Sequence, residues 1–155
     1  MSEPLFQQFA RDILQLHQRT VISWLAVPQA EDTAVFASPY AHIDGCYYFA
    51  IPDSCPSLQP QNGIVLIEDE NAEIRLSWIG STREVSCKEC VYQDACAALQ
   101  RRGHHANHIE NSRLLELCPQ QGHLSIPNQC DSALSPQLLQ RALYPAYERL
   151  HQLTG

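Results

Sequence analysis

The chain has 155 residues, enough for one domain with a hydrophobic core and too few for two of ordinary size. Ten Lys and Arg against seventeen Asp and Glu give a formal net charge of -7, which argues against electrostatic capture of nucleic acid or anionic lipid. No apolar run approaches the roughly 18 residues that a membrane-spanning helix needs. The N-terminus lacks the basic and apolar segments of a secretion signal, so we expect a cytoplasmic protein.

The chain is predicted to begin with an amphipathic helix over about residues 3–18, where apolar residues recur near the helical period. Three segments rich in β-branched and aromatic residues follow, at 20–27, 33–40 and 46–51. Turn-forming residues separate them, including the Asp44-Gly45 pair. This order predicts an antiparallel meander of three strands.

A run of four aliphatic residues, Ile64 to Ile67, leads directly into three carboxylates at positions 68–70. The unbroken apolar run predicts a central strand that is buried on both faces. The next segment alternates with period two, so that Trp78 points to one side and Arg75 to the other. Clustered carboxylates can share a divalent ion. We favour a solvated strand end, or an ion pair with Arg75 across the turn.

The second half is predicted to contain a helix over 87–102, a late hairpin and a C-terminal helix over about 135–152. The hairpin comprises segments 112–118 and 123–128 on either side of "PQQG". Pro145 is expected to kink or split the last helix. This order suits a small antiparallel barrel over about residues 20–128, closed by helices, within a single domain of residues 1–155.

Several of the predicted strands resemble a known family. The segments are "RTVISWLAV", "VFASPYAHIDGCYYFAI", "VLIEDE", "IRLSWIGSTREV" and "LLELCPQQGHLSI", of which "LIEDE" and "SPYAHIDG" are the most specific. Over most of residues 19–140 the chain is similar to the haem-utilisation branch of the pyridoxamine 5'-phosphate oxidase-like, FMN-binding split-barrel family. The resemblance implies a mainly β fold with flanking α-helices, built on a six-stranded antiparallel split β-barrel. It also implies a homodimer with a flat cofactor in the groove between two barrels.

The resemblance suggests which residues contact the cofactor. Arg75 stands where the family often has a polar, flavin-contacting side chain, and Ser38 and Tyr40 end the second strand. The branch's haem ligand lies in the C-terminal segment, where His151 is the candidate, with a surface histidine as the alternative interpretation. The leading hypothesis is therefore a dimer that binds FMN or haem. Any catalysis would be oxidoreduction carried out by that cofactor.

A second hypothesis is a cofactor-free barrel that acts as a binding or structural dimer. A flavin phosphate needs donors, and arginine is the usual supply. Where the family places its basic groups, this chain has Ala34, Pro39 and, in the loop over 52–60, Cys55 and Pro56.

The seven cysteines are interpreted as reduced and mostly buried thiols, because their number is odd and the chain is expected to be cytoplasmic. Cys87 and Cys90 form a C-x-x-C, and Cys96 and the histidine-rich segment 104–108 follow, which makes a zinc site a third hypothesis. However, the stretch has a helical pattern, in which cysteines three apart merely share a face. We therefore predict no metal there, and no redox role because a βαβ context is missing.

Overall fold

The structure is a computed structural model that describes residues 3–28, 32–52, 61–102, 112–129 and 131–143, with side chains from residue 7 onward. Within these ranges the helices are α1 (Glu3–Arg19), α2 (Cys90–Arg101) and α3, which covers residues 136–143. The strands are β1 (Ile22–Pro28), β2 (Thr33–Ile43), β3 (Cys46–Pro52), β4 (Gln61–Asp69), β5 (Ile74–Val85), β6 (Ser112–Ser125) and β7 (Ser132–Leu134). No helix in the described ranges is long and apolar enough to cross a bilayer.

The first six strands close into a barrel. The sheet runs in the order β3-β2-β1-β4-β5-β6-β7, and β3 also pairs with β6, so the sheet returns on itself. All of these pairings are antiparallel. The long strand β6 pairs with β3 through its first half and with the short β7 through its second half. The predicted six-stranded antiparallel split barrel is confirmed, with β7 as an addition.

The barrel interior holds the main core. Alternate residues of each strand point inward, as the two-residue period of a strand requires. Helices α1 and α3 add apolar side chains to this core, such as Ile13 and Leu139. The largest fully buried inward residues from the strands are Leu25, Tyr40, Tyr47, Phe49, Ile51, Ile67, Leu76, Trp78 and Leu115. The burial of these large apolar side chains is the main force that favours folding.

A second, smaller core lies outside the barrel wall, under α2. The helix contributes Ala95, Ala98 and Leu99, which pack on outward residues of β2, β3, β5 and β6. Those wall residues are Ala41, Tyr48, Val85 and Leu114. Helix α2 therefore covers the outside of the barrel around β3 and β6, where the ring closes.

Strand β4 differs from the sequence prediction. Val65 and Ile67 are fully buried, but Ile64 is 46% exposed and Leu66 is partly exposed. The prediction that this strand is buried on both faces is wrong for the single chain. The inner face of β4 points into the core. Its outer face is not covered by α2, which packs on β2, β3, β5 and β6.

The predicted late hairpin does not form, because residues 112–125 make one continuous strand, β6. Pro119 lies opposite Gly80, and the register between β5 and β6 shifts between Ile79 and Gly80. Such a bulge bends a strand and increases its twist without reversing the chain. The "PQQG" segment therefore curves the barrel wall where the sequence suggests a turn.

The helix boundaries agree with the prediction at the N-terminus and differ elsewhere. Helix α1 ends at Arg19, one residue beyond the predicted boundary, whereas α2 begins at Cys90 instead of residue 87 because residues 86–89 form a turn. Residues 136–143 are helical, as predicted for that part of the C-terminal helix. The remainder of that helix, with Pro145 and His151, lies outside the described residues. The extent of the single domain over residues 1–155 stays a prediction.

Candidate functional site

An apolar surface lies on the outside of the barrel, on the part of the wall that α2 does not cover. The strand register places Ile79 of β5 beside Ile64 of β4, Ile64 beside Ala26 of β1, and Ala26 beside Val35 of β2. We call this surface the outer apolar face; it comprises Ile22, Trp24, Val35, Ile64 and Ile79, whose exposed fractions range from 40% to 61%. A contiguous apolar patch of this kind marks an interaction surface.

Arg75 lies on the outward side of β5 beside this face. Its partner on β4 is Glu68, and the two form an ion pair in which Arg75 Nε lies 3.2 Å from Glu68 Oε2. Asp69 accepts hydrogen bonds from the backbone N–H groups of Asn71 and Ala72 and so forms the turn. The predicted ion pair across the turn is confirmed. The Arg75 side chain is still 68% exposed, and its role as a cofactor ligand stays a prediction.

Ser38 and Tyr40 lie on the opposite side of the wall from Arg75, because both point into the barrel. The Ser38 hydroxyl donates to the Ala50 carbonyl over 3.2 Å. The Tyr40 hydroxyl lies 2.5 Å from the Thr20 hydroxyl, and its ring is fully buried. The structure therefore does not bring these two residues together with Arg75. Their assignment as cofactor ligands stays a prediction.

His123 on β6 belongs to the same outer surface. It lies opposite Ser77 of β5, in a cross-strand row that continues through Leu66 of β4 to Trp24 of β1, and its ring is exposed. In the sequence, His123 is one of several dispersed histidines. No sequence pattern indicates how β6 lines up on β5, so its position beside the outer apolar face could not be inferred.

A second histidine, His17 of α1, is buried at the end of the barrel. Its Nδ1 lies 2.6 Å from the Ile13 carbonyl and its Nε2 lies 2.7 Å from the Tyr47 hydroxyl. The carbonyl can only accept, so Nδ1 carries the proton and Nε2 accepts from Tyr47. Burial lowers the pKa of His17 to about 4, so the ring is neutral.

His42 and Arg102 complete this buried cluster. The His42 ring lies 6.4 Å from that of His17, and its Nε2 has no hydrogen-bond partner among the described residues. Burial, with His17 nearby, lowers the pKa of His42 to about 3. The Arg102 guanidinium lies 4.6 Å from the centre of the Tyr40 ring and donates to the His17 carbonyl. These contacts join α1 and the C-terminal end of α2 to the barrel. The cluster therefore has a structural role.

A third polar cluster surrounds the buried Glu116 of β6, beside the start of α2. The Tyr48 hydroxyl donates to Glu116 Oε2 over 2.7 Å, and the Arg83 Nε donates to Oε1 over 2.9 Å. Arg83 also pairs with Glu89, which directly precedes α2, over 2.7 Å. Burial, followed by the hydrogen bond to Glu116, raises the pKa of Tyr48. The carboxylate thus links β3, β5 and β6, and through Arg83 the start of α2.

Two cysteines lie beside the same carboxylate. Cys46 Sγ lies 2.7 Å from Cys118 Sγ, and Cys118 Sγ lies 3.4 Å from Glu116 Oε1. Among the described residues these three form a group whose ligand atoms all lie within 4.8 Å of one another. Arg83 already neutralises the carboxylate, which disfavours a cation at this place.

The C-x-x-C pair is not part of this cluster. Cys87 lies in the turn before α2 and Cys90 is its first residue, and both are exposed. The prediction that these two are core thiols on one helical face is wrong, because the helix begins after Cys87. The histidine-rich segment 104–108 lies outside the described residues, so the zinc hypothesis is untested.

Replacing Glu116 with Gln is expected to lower the free energy of unfolding by about 1–2 kcal/mol, because the buried acceptor of two hydrogen bonds loses its negative charge. The half-exposed Arg83 limits the loss through solvent screening. Urea unfolding of the purified variant measures it. The matched control is Glu84→Gln, which removes the charge from a more exposed carboxylate, paired with Arg113, and is expected to cost about 0.5 kcal/mol or less. Equal losses in both variants would contradict the network.

The fold defines the chain as a split barrel of the pyridoxamine 5'-phosphate oxidase-like type, and comparison with solved structures agrees. A Clostridium acetobutylicum protein related to general stress protein 26 of Bacillus subtilis, described as pyridoxinephosphate oxidase family, superposes with a TM-score of 0.62 at 10% identity, covering 86% of this chain and 98% of that one.

Two further solved structures have the same fold, and one of them is described as a haem protein. Campylobacter jejuni ChuZ matches with a TM-score of 0.69 at 12% identity over 83% of this chain, which spans 60% of that protein. HutZ, described as the heme storage protein of Vibrio cholerae, matches with a TM-score of 0.59 at 20% identity, covering 80% of this chain and 93% of HutZ. No protein-family model and no curated protein matches the sequence. The resemblance to the pyridoxamine 5'-phosphate oxidase-like split barrels is confirmed at the level of the fold, and the neighbours include proteins described as haem proteins.

Proposed function

We propose that the chain forms a homodimer that binds a flat cofactor at the outer apolar face, in the groove between two barrels, and that this cofactor is haem rather than FMN. The proposed location is the cytoplasm. Any oxidoreductase activity would be chemistry of the bound cofactor, positioned by the protein. The observation that carries the proposal is the row of exposed apolar side chains across β5, β4, β1 and β2.

The outer apolar face supports the dimer because it lies on the part of the wall that α2 leaves uncovered. Trp24 is 51% exposed and Val35 is 61% exposed, and Trp is enriched at the centres of protein interfaces. A second copy related by a two-fold axis would place the same face against itself, as in most homodimers. The four-residue aliphatic run of β4 then has an explanation, since its outward residues would be buried by the partner.

The residues around this face fit a tetrapyrrole. Haem requires a flat apolar surface, an axial ligand such as imidazole and cations for its carboxylates. The outer apolar face supplies the first, and His123 supplies an exposed imidazole in the row that contains Trp24. Arg75 lies next to this row and would have to exchange its ion pair with Glu68 for one with a haem carboxylate. His151, implied by the resemblance, is the alternative ligand.

The described residues do not fit the phosphate of FMN. That group carries close to two negative charges and needs several donors that are not already neutralised. Arg19, Arg75 and Arg83 each pair with a carboxylate in the structure. The same observation supports the alternative function, a cofactor-free dimer with a binding or structural role.

The dimer is tested by Trp24→Glu. A charge at the centre of an apolar interface is expected to weaken association at least 100-fold, so sedimentation velocity at micromolar concentration should show the monomer for the variant and the dimer for the wild type. Ala97→Glu is the matched control because it places the same charge on an exposed position of α2. A wild type that sediments as a monomer would rule out the dimer.

The cofactor is tested by titrating ferric haem into the purified chain and recording the absorption spectrum. We expect a Soret band distinct from that of free haem, with His123→Ala weakening binding about tenfold or changing the band. His151→Ala is the comparison, since the resemblance assigns the ligand to it. If the protein leaves the absorption spectrum of haem unchanged and FMN also fails to bind, the cofactor-free dimer is the better account.

A further inference from the structure

The cluster of Cys46, Cys118 and Glu116 lies outside the proposed cofactor site, on the side of the barrel that α2 covers. Cys46 is at the start of β3 and Cys118 is in β6. The register between these strands pairs Tyr47 with Leu117, so the next pair in the ladder is Cys46 with Cys118. The pairing of β3 with β6 is the one that closes the barrel.

We propose that Cys46 and Cys118 are a redox modification site, at which a disulfide forms across the closing seam of the barrel when a low-molecular-weight disulfide such as oxidised glutathione is abundant. The two sulfur atoms lie 2.7 Å apart, so they need to approach by about 0.7 Å to reach bonding distance. Directly opposed residues of antiparallel strands also fall within the Cα separations that disulfides accept. This proposal is independent of haem or FMN.

The reaction is thiol–disulfide exchange in two steps. One protein thiolate attacks a sulfur of the small disulfide, forming a mixed disulfide and releasing one small thiol. The second protein thiolate attacks the protein sulfur of that mixed disulfide, forming the Cys46–Cys118 bond and releasing the other small thiol. Two electrons pass from the protein sulfurs to the small disulfide, and the two protons of the protein thiols end on the released thiols.

The surroundings favour a disulfide over a bound metal ion. Burial raises the pKa of both thiols, which disfavours the thiolates that a metal needs and slows exchange. Both oxygens of Glu116 already accept hydrogen bonds, from Tyr48 and Arg83. A disulfide is neutral and leaves these hydrogen bonds intact.

The test maps thiols in the full chain. The protein is incubated for several hours with excess oxidised or reduced glutathione, free thiols are alkylated, and peptides are identified by mass spectrometry. We expect a peptide pair joined through Cys46 and Cys118 after oxidation and its absence after reduction. The bond closes a long loop, so the oxidised protein should melt about 10 °C higher than the reduced one.

Variants separate this bond from the other cysteines of the chain. Cys46→Ser and Cys118→Ser should each abolish the rise in Tm, whereas the matched control Cys96→Ser, on α2, should keep it. Free Cys46 and Cys118 after incubation of the wild type with excess oxidised glutathione, or a bond from either to another cysteine, would overturn the proposal. So would protection of both thiols from alkylation by equimolar Zn²⁺ in the reduced protein, which would make the pair a metal site. Mapping of the wild type decides even if a variant does not fold.

Discussion

Lowering the pH from 7.5 to 5 is expected to reduce the free energy of unfolding by about 4 kcal/mol through His17 and His42 together. The His17 side chain is buried and the Nε2 atom of His42 is shielded from solvent, which lowers the pKa of His17 to about 4 and that of His42 to about 3. In the unfolded chain both have the ordinary histidine pKa of about 6.5. The contribution of each ring to stability is therefore greatest above pH 6.5.

The sign follows from proton binding. Below pH 6.5 the unfolded chain takes up a proton at each histidine and the native state does not, so acid favours unfolding. Each histidine then costs about 1.4 kcal/mol per pH unit, or about 2 kcal/mol by pH 5. The loss continues down to about pH 4 for His17 and about pH 3 for His42, where the native rings also become protonated.

Urea unfolding at pH 7.5 and pH 5 measures this loss. His42→Asn should reduce it to about 2 kcal/mol, because one of the two protons is no longer taken up. A wild type that loses less than about 1 kcal/mol over this range would show that neither ring is held neutral.

Gly80→Ala is expected to destabilise the protein by about 3 kcal/mol or more. A Cβ at this position would lie 2.7 Å from the Cys118 carbonyl carbon and would clash with its carbonyl oxygen. Both are backbone atoms of β6, so no side chain can rotate away and β5 and β6 would have to separate at the bulge. The barrel wall bends there because Gly80 permits this close approach.

Thermal or urea unfolding of Gly80→Ala measures that cost. The matched control is Ser81→Ala, one residue further along β5 on the exposed side, which should change the free energy of unfolding by less than about 0.5 kcal/mol. If Gly80→Ala unfolds at the same denaturant concentration as the wild type, the close contact between the two strands does not exist.

The strands were readable from the sequence because β-branched and aromatic residues alternate with polar ones. The alternation of β5, with Trp78 inward and Arg75 outward, is confirmed residue by residue. In β4 the same reasoning was wrong, since Ile64 and Leu66 are as apolar as Val65 and Ile67. A sequence does not distinguish an outward residue covered by the same chain from one that is left exposed.

The candidate site was harder to predict because it depends on register across the barrel. The Glu68–Arg75 pair was predictable, since the two residues flank one turn. The cross-strand row that contains His123 and Trp24 spans four strands, and the contact of Cys46 with Cys118 depends on ring closure between strands that are far apart in sequence. Local patterns contain no information on such pairings.

Native mass spectrometry of the chain mixed with ferric haem tests the central claim most directly, because it counts chains and haems in one particle. The account predicts a particle of two chains that carries haem, and its replacement by single chains in Trp24→Glu. A wild type that remains a single chain and carries no haem would contradict the claim that the outer apolar face joins two barrels around a cofactor.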